Sequence, residues 1–461
     1  MTPVSLLWLA LLGVAVAAVP LVYVWRSRDP QKFRKLAWVT AFLTLDLIMV
    51  GSFTRLTDSG LGCPDWPGCY GHSNPLSAGE QIRQAQTALP SGPVTMSKAW
   101  IEMSHRYFAL AVGVLIIVLT VQAWRRASSG AATPHSPWLA TAALLWVCVQ
   151  GAFGALTVTM KLQPAIMTLH LLGGVVLLAL LTWIALREAP APKRTVAPRV
   201  HAVALIALAA VFIQIGLGGW VSSNYAVLAC PDFPLCQGEF LPPMDFSHGF
   251  TWWRALGRTG EGDLVPFQAL VAIHWTHRMF AIVVAAAFGV LLRQLRQHPG
   301  FSHLARGLLA LIVLQLLTGL SNVVLQWPLM LAVLHSGGAA LLIALLVVIV
   351  HRTSRPPSGN REFIARSVPV PPLHRRPRGL VDEQIDLTER GGGRVGRRIR
   401  DTDPAHPQVA VTIDQKFHMR MRGFIRAIGL RREHCVRLGH VRTGDREDRL
   451  AVCCDPGIAR T

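Results

Sequence analysis

Charge is what this 461-residue chain has least of: Asp, Glu, Lys and Arg make up 15% of it, against 52% hydrophobic residues. Long stretches hold no ionisable side chain, which excludes an ordinary soluble domain and points to a multi-span membrane protein. Acids are the scarcer sign, 25 against 45 bases. The excess is uneven, because the segment after His351 carries Lys416 and 22 arginines against 13 acids, about half of the net +20. No nucleic-acid motif accompanies that charge, so its plain reading is a basic segment kept on the cytoplasmic side. The cysteine loops also lack Cys-x2-Cys spacing, which weakens a zinc reading. Cys63/Cys69 and Cys230/Cys236 instead pair at equal spacing in polar loops. Each pair can close a local disulfide if those loops face an oxidising compartment.

What is present is a series of apolar runs near the ~20 residues needed to cross a bilayer. The first, 5–25, is too long for a signal-peptide core and reads as an uncleaved anchor. Eight more follow at about 37–56, 101–123, 138–159, 165–186, 200–222, 269–292, 307–326 and 329–350. Basic residues gather in segments 26–36, 124–137, 187–199 and 293–306, which makes these cytoplasmic. Loops 57–100 and 223–268, with the cysteine pairs, then lie outside. From about 355 the apolar periodicity stops amid proline, glycine and dispersed arginine, so 355–461 is expected to be a disordered or weakly structured cytoplasmic tail, or else an extension of the reading frame.

Residues 37–186 and 200–350 repeat each other. Cys63-Pro64-Asp65-Trp66-Pro67-Gly68-Cys69 matches Cys230-Pro231-Asp232-Phe233-Pro234-Leu235-Cys236, and Ser104-His105-Arg106 matches Thr276-His277-Arg278. Gln150-x3-Gly154-x3-Val158 matches Gln315-x3-Gly319-x3-Val323, and Leu169-His170 matches Leu334-His335. Four helices per repeat is an even number, so both halves cross in the same sense, as parallel repeats about an axis along the membrane normal. The expected fold is therefore an all-α polytopic membrane protein. An anchor and basic loop (1–36) precede an eight-helix core, two tandem four-helix bundles (37–199 and 200–354) related by a pseudo-two-fold axis, and the tail (355–461) follows.

Each half supplies two histidines near the outer ends of its second and fourth helices, His105 with His170 and His277 with His335. Their expected depth is roughly 7 Å at ~1.5 Å per residue. Two imidazoles at one level on facing helices suit axial ligation of a flat macrocycle, and Gly173-Gly174 and Gly337-Gly338 leave room for one. A lone intramembrane histidine is more often a packing residue; four at matched depth favour a metal or cofactor. Copper competes, but no methionine or cysteine recurs beside these histidines. Glu102, three residues before His105 on the same helix face, has no copy: His274 stands in its place. An ionisable group at membrane depth marks function by default. His274 shares a face with His277 and is an alternative ligand. Arg55, Arg106 and Arg278, at outer helix ends, are candidates for pairing with carboxylates of a ligand or for plain interfacial snorkelling.

With Thr54-Arg55-Leu56-Thr57-Asp58-Ser59-Gly60-Leu61-Gly62 before Cys63, with Glu102-x2-His105-Arg106, and with the repeated His170 and His335 segments, the chain resembles the heme A synthase family over about 37–350. The resemblance implies oxidation of the C8 methyl of heme O to the formyl of heme A for terminal oxidase assembly. It assigns His105 and His170 to the substrate heme and His277 and His335 to a cofactor heme b; for a heme, the carboxylates that Arg55, Arg106 and Arg278 are candidates to pair with are its propionates, with snorkelling as the alternative. It also suggests a mechanistic or redox role for Cys63–Cys69, with Cys230–Cys236 structural. Glu102 is then the expected proton acceptor. The same ligand set would serve a di-heme b-type electron-transfer cytochrome or a heme carrier. A heme O synthase (farnesyltransferase) and membrane lipid are the expected partners, nucleic acid is not, and a homo-oligomer is compatible with the sequence. The implied location is the bacterial plasma (inner) membrane.

Overall fold

Helices account for nearly all of the membrane unit, as the apolar runs demand. The computed structural model describes residues 2–129, 136–188, 198–298 and 300–354, together with four short strands at 434–437, 442–443, 446–447 and 451–454. Residues 1–370 and 371–461 are separate units. Among the described residues, nine helices are long and apolar enough to cross a membrane. They are α1 (Pro3–Arg26), α2 (Lys32–Leu56), α4 (Met96–Ser128), α5 (Trp138–Thr159), α6 (Pro164–Arg187), α7 (Pro198–Ser223), α9 (Phe267–Arg296), α10 (Ser302–Val324) and α11 (Leu329–Thr353). This is the all-α architecture of a multi-pass membrane protein. Two short helices in the loops had no hydropathy signal, α3 (Gly79–Ala88) and α8 (Phe246–Gly249).

Lipid is as apolar as leucine, so close fit rather than hydrophobic burial must hold these helices together. In the first half α2 packs on α4 and α6, and α5 on α6; in the second α7 packs on α9 and α11, and α10 on α11. Leu36, Leu115, Leu119 and Leu181 centre one buried cluster, and Leu291, Leu295, Leu308 and Leu346 another. The halves meet where α2 and α6 face α11 and α6 faces α7. Ser52 donates to Ser336 across that seam at 2.9 Å, and a methyl group added at Gly337 would strike Met49. The anchor α1 lies on α4, where Gly13 admits Leu110.

The sequence repeat has a counterpart in the backbone. Left-handed residues recur 167 positions apart at Asp58 and Tyr225, Tyr70 and Gln237, and Gly71 and Gly238. They recur 165 apart at Lys161 and Gln326 and at Leu162 and Trp327, in the turns that lead into α6 and α11. Side-chain-bearing residues rarely adopt positive φ, so the four such coincidences, with the glycine pair beside them, give a register for comparing the halves residue by residue. Most of the expected tail lies outside the described residues. Within it, 434–437 pairs antiparallel with 451–454 and 442–443 with 446–447, where no pairing was expected.

Candidate functional site

The cysteine loops come first, because they fix the start of the histidine-bearing helices. Both expected disulfides are present, Cys63–Cys69 and Cys230–Cys236. Inside each loop the aspartate after Cys-Pro accepts two backbone amides. Asp65 takes those of Tyr70 and Gly71 at 2.6 and 2.7 Å, and Asp232 those of Gln237 and Gly238 at 2.8 and 2.9 Å. The Gly238 amide, with the others, holds the Asp232 carboxyl below its ordinary range.

An arginine from the following helix then clamps each loop. Arg106 on α4 donates to Asp65 O at 2.8 Å and to Gly68 O; Arg278 on α9 donates to the matching Asp232 O and Leu235 O at 2.8 and 2.9 Å. The third donor separates the halves. Arg106 bonds the Glu102 carboxylate, whose other oxygen accepts the Cys63 amide at 2.8 Å. In the second half Arg278 reaches Cys230 O at 2.6 Å and His274 Nε2 at 3.2 Å. Glu102 and His274 thus occupy one structural position, both buried, and both turn toward their cysteine loop. Arg55 on α2 instead donates to Ser222 O at 2.6 Å and to Asp58 at 3.2 Å, beneath the Tyr225 ring. Its Nε is buried without a hydrogen-bond partner among the described residues.

Measured from the helix starts, two of the histidines lie further along than the apolar runs suggested, because α4 and α9 begin ahead of those runs. His105 is nine residues beyond Met96 and His277 ten beyond Phe267, roughly 14 and 15 Å along the axis. His170 and His335 are each six residues into their helices, roughly 9 Å. The helices begin ahead of the apolar run, on polar residues such as Ser97, Lys98 and Gln268, which hydropathy assigns to the loops. His105 and His170 are electrostatic neighbours, as are His277 and His335.

Each imidazole rests against a glycine of the adjacent helix. A methyl group placed on Gly51 or Gly218 would come 3.0 Å from Cε1 of His105 or His277; on Gly319 it would come 3.2 Å from that of His335, and on Gly154 3.7 Å from that of His170. All four rings are half-buried rather than enclosed. A bare ion would need further side-chain donors, yet no three His, Cys, Asp or Glu side chains converge among the described residues. A macrocycle supplies four donors itself and needs two from the protein. Nδ1 of His105 and of His170 is moreover buried and without a hydrogen-bond partner among the described residues, so no protein hydrogen bond accounts for either ring there. Two neighbouring histidines per half, each seated against a glycine, fit a heme.

Sequence reasoning missed three contacts of these histidines. The Gln214 amide lies 3.2 Å from His277 Nδ1 and donates to His277 O at 3.0 Å. Gln315 donates to His335 O at 3.0 Å, and Thr318 Oγ1 lies 3.0 Å from His335 Nδ1. Of these, only Gln315 belongs to a repeated motif.

The profile of the cytochrome oxidase assembly protein family (COX15-CtaA) matches residues 34–347. Curated relatives agree. A heme A synthase of Shewanella oneidensis is 39% identical over 324 residues, 68% of this chain and 96% of the relative. The heme A synthase of Erythrobacter litoralis is 33% identical over 334 residues, covering 66% and 92%; that of Sphingopyxis alaskensis is 29% identical over 348 residues, covering 71% and 93%. The match begins after α1 and ends within α11.

Proposed function

The chain belongs to the cytochrome oxidase assembly family that comprises heme A synthases, and on that premise we propose that it oxidises the C8 methyl group of heme O to the formyl group of heme A. One observation carries the division of labour. The two halves repeat the histidine pair and the arginine clamp, but a carboxylate, Glu102, occupies the shared position in the first half and His274 in the second. The substrate heme O accordingly belongs between His105 and His170. A b-type heme held by His277 and His335 would supply one-electron redox chemistry.

Conversion of the methyl to the formyl group consumes one water and releases four electrons and four protons. Two successive hydroxylations at the same carbon give a geminal diol, and loss of water leaves the aldehyde. The electrons go to an external acceptor. Glu102 is the proton acceptor in this scheme. It stands three residues from His105 on one helix face, and the Arg106 guanidinium and the Cys63 amide fix its orientation. Arg55, whose Nε is uncommitted, is better disposed toward a propionate than Arg106 or Arg278, whose donors serve the cysteine loops. The disulfides belong outside the plasma membrane with the histidine-bearing helix ends, and the basic loops inside. A farnesylating heme O synthase is the enzyme class that must supply the substrate.

Glu102→Gln tests this function. Pigment extracted from the purified variant should contain heme B and heme O but no heme A. Heme A at the wild-type level would end the role of Glu102, and a wild-type protein carrying heme B alone would favour a di-heme electron-transfer cytochrome.

A further inference from the structure

The hydrogen bonds behind the four histidines differ between the halves. In the second half, Thr318 Oγ1 donates to Leu314 O at 2.8 Å. Its proton is spent there, so toward His335 Nδ1, 3.0 Å away, it can only accept. That contact selects the tautomer with hydrogen on Nδ1 and leaves the Nε2 lone pair for a metal. Gln315 ties down the same residue's carbonyl, and Gln214 donates through Nε2 to the carbonyl of His277 at 3.0 Å; an amide nitrogen only donates, so its 3.2 Å approach to His277 Nδ1 lends no support to a proton on that nitrogen. In the first half Nδ1 of His105, Nδ1 of His170 and Nε2 of Gln150, the counterpart of Gln315, are all buried and have no hydrogen-bond partner among the described residues. The register explains the difference. Thr318 precedes Gly319 as Phe153 precedes Gly154, and Gln214 lies four residues before Gly218 as Leu47 lies four before Gly51. Apolar side chains stand in the first half where the second half has hydrogen-bonding ones.

Partners behind a ligating histidine fix its ring and strengthen it as a donor, and their loss typically costs 10- to 100-fold in affinity. We propose that Thr318 is a positioning residue that makes the second-half site a retaining site, and that Phe153, by withholding such a partner, makes the first-half site an exchanging one. The proposal rests on the assignment of the cofactor heme to the second half and of substrate and product heme to the first. It adds the reason one macrocycle stays while the other is released: the ligands are the same, and what supports them differs.

The test uses the full-length protein purified with its pigment, and measures transfer of heme to excess apomyoglobin and the midpoint potential of the heme that remains. A His170→Ala background confines the measurement to the second half. There Thr318→Val, which keeps the side-chain shape, should release heme about 10- to 100-fold faster and shift the potential. Thr318→Ser, which keeps the hydroxyl, should restore both toward the parent. In a His335→Ala background, which confines the measurement to the first half, Phe153→Thr should slow heme release. Parent-like release and potential in Thr318→Val, or a Thr318→Ser variant that behaves like the valine, would overturn the proposal, as would unchanged release from the first-half variant. The assignment of halves fails by a different result: heme b lost from the His170→Ala parent but kept by the His335→Ala parent.

Discussion

Replacing Arg106 by leucine removes one member of a buried ion pair, and the expected damage can be separated into parts. Arg106 is 9% exposed and Glu102 4%, so the carboxylate left behind is an uncompensated charge, a loss of about 3–5 kcal/mol. The abandoned Gly68 carbonyl adds about 1–3 kcal/mol. The two contributions part company in a double-mutant cycle. Glu102→Leu in the Arg106→Leu background removes the stranded charge but not the stranded carbonyl, so the double variant should be more stable than Arg106→Leu alone, with a coupling of about 2–3 kcal/mol. The matching cycle in the second half, His274→Leu with Arg278→Leu, contains no carboxylate and should show less than about 1 kcal/mol. Equilibrium unfolding of detergent-solubilised protein by SDS gives all four corners of each cycle. Additivity at Glu102 and Arg106 within about 0.5 kcal/mol would refute the argument, since it would mean that the charge is solvated and the two residues do not act as a pair.

Three further outcomes are expected. Gly218→Ala places a methyl group 3.0 Å from His277 Cε1 and should lower heme B content, whereas Gly51→Ala, with the same clearance to His105, should lower heme O and heme A and spare heme B; pigment extraction reads both. Cys63→Ser with Cys69→Ser opens a short loop whose closure is worth about 2 kcal/mol on the chain-entropy relation, and unfolding by SDS should register a loss no larger than that. In the loop between α7 and α9, Asp245 accepts from Ser247 and from the backbone and ring of His248, whose Nδ1 lies 2.5 Å from its carboxylate. The bond to Asp245 raises the His248 pKa. The contact therefore stabilises the fold fully below the ordinary histidine range and fades as pH rises through the raised value; Asp245→Asn should return the His248 titration, followed by NMR, to the ordinary range.

Hydropathy located every long helix to within about five residues at each end, because span length is set by the bilayer rather than by tertiary context. It failed where helices project out of the apolar run. The ten residues of α3 are mostly polar and bury only Ile82, so no window average could find them. The histidines were legible for another reason: duplication printed them twice. That same logic hid Gln214 and Thr318, since a search for what the halves share passes over what distinguishes them. It also says nothing of side-chain direction. Arg106 and Arg278 stand in the N-terminal parts of their helices, where ligand-pairing residues were expected, yet their guanidinium groups turn to carbonyls of the preceding cysteine loops.

Each cysteine loop is closed three ways: by a disulfide, by an aspartate that gathers two amides, and by a guanidinium from the helix beneath. Only the first of these is sensitive to thiols. The loop is thus fastened redundantly, like a lid with a catch and two hinges. Thiol–disulfide exchange at Cys63 and Cys69 could run through open and closed states while the rest of the loop, and the carboxylate anchored under it, keeps its place.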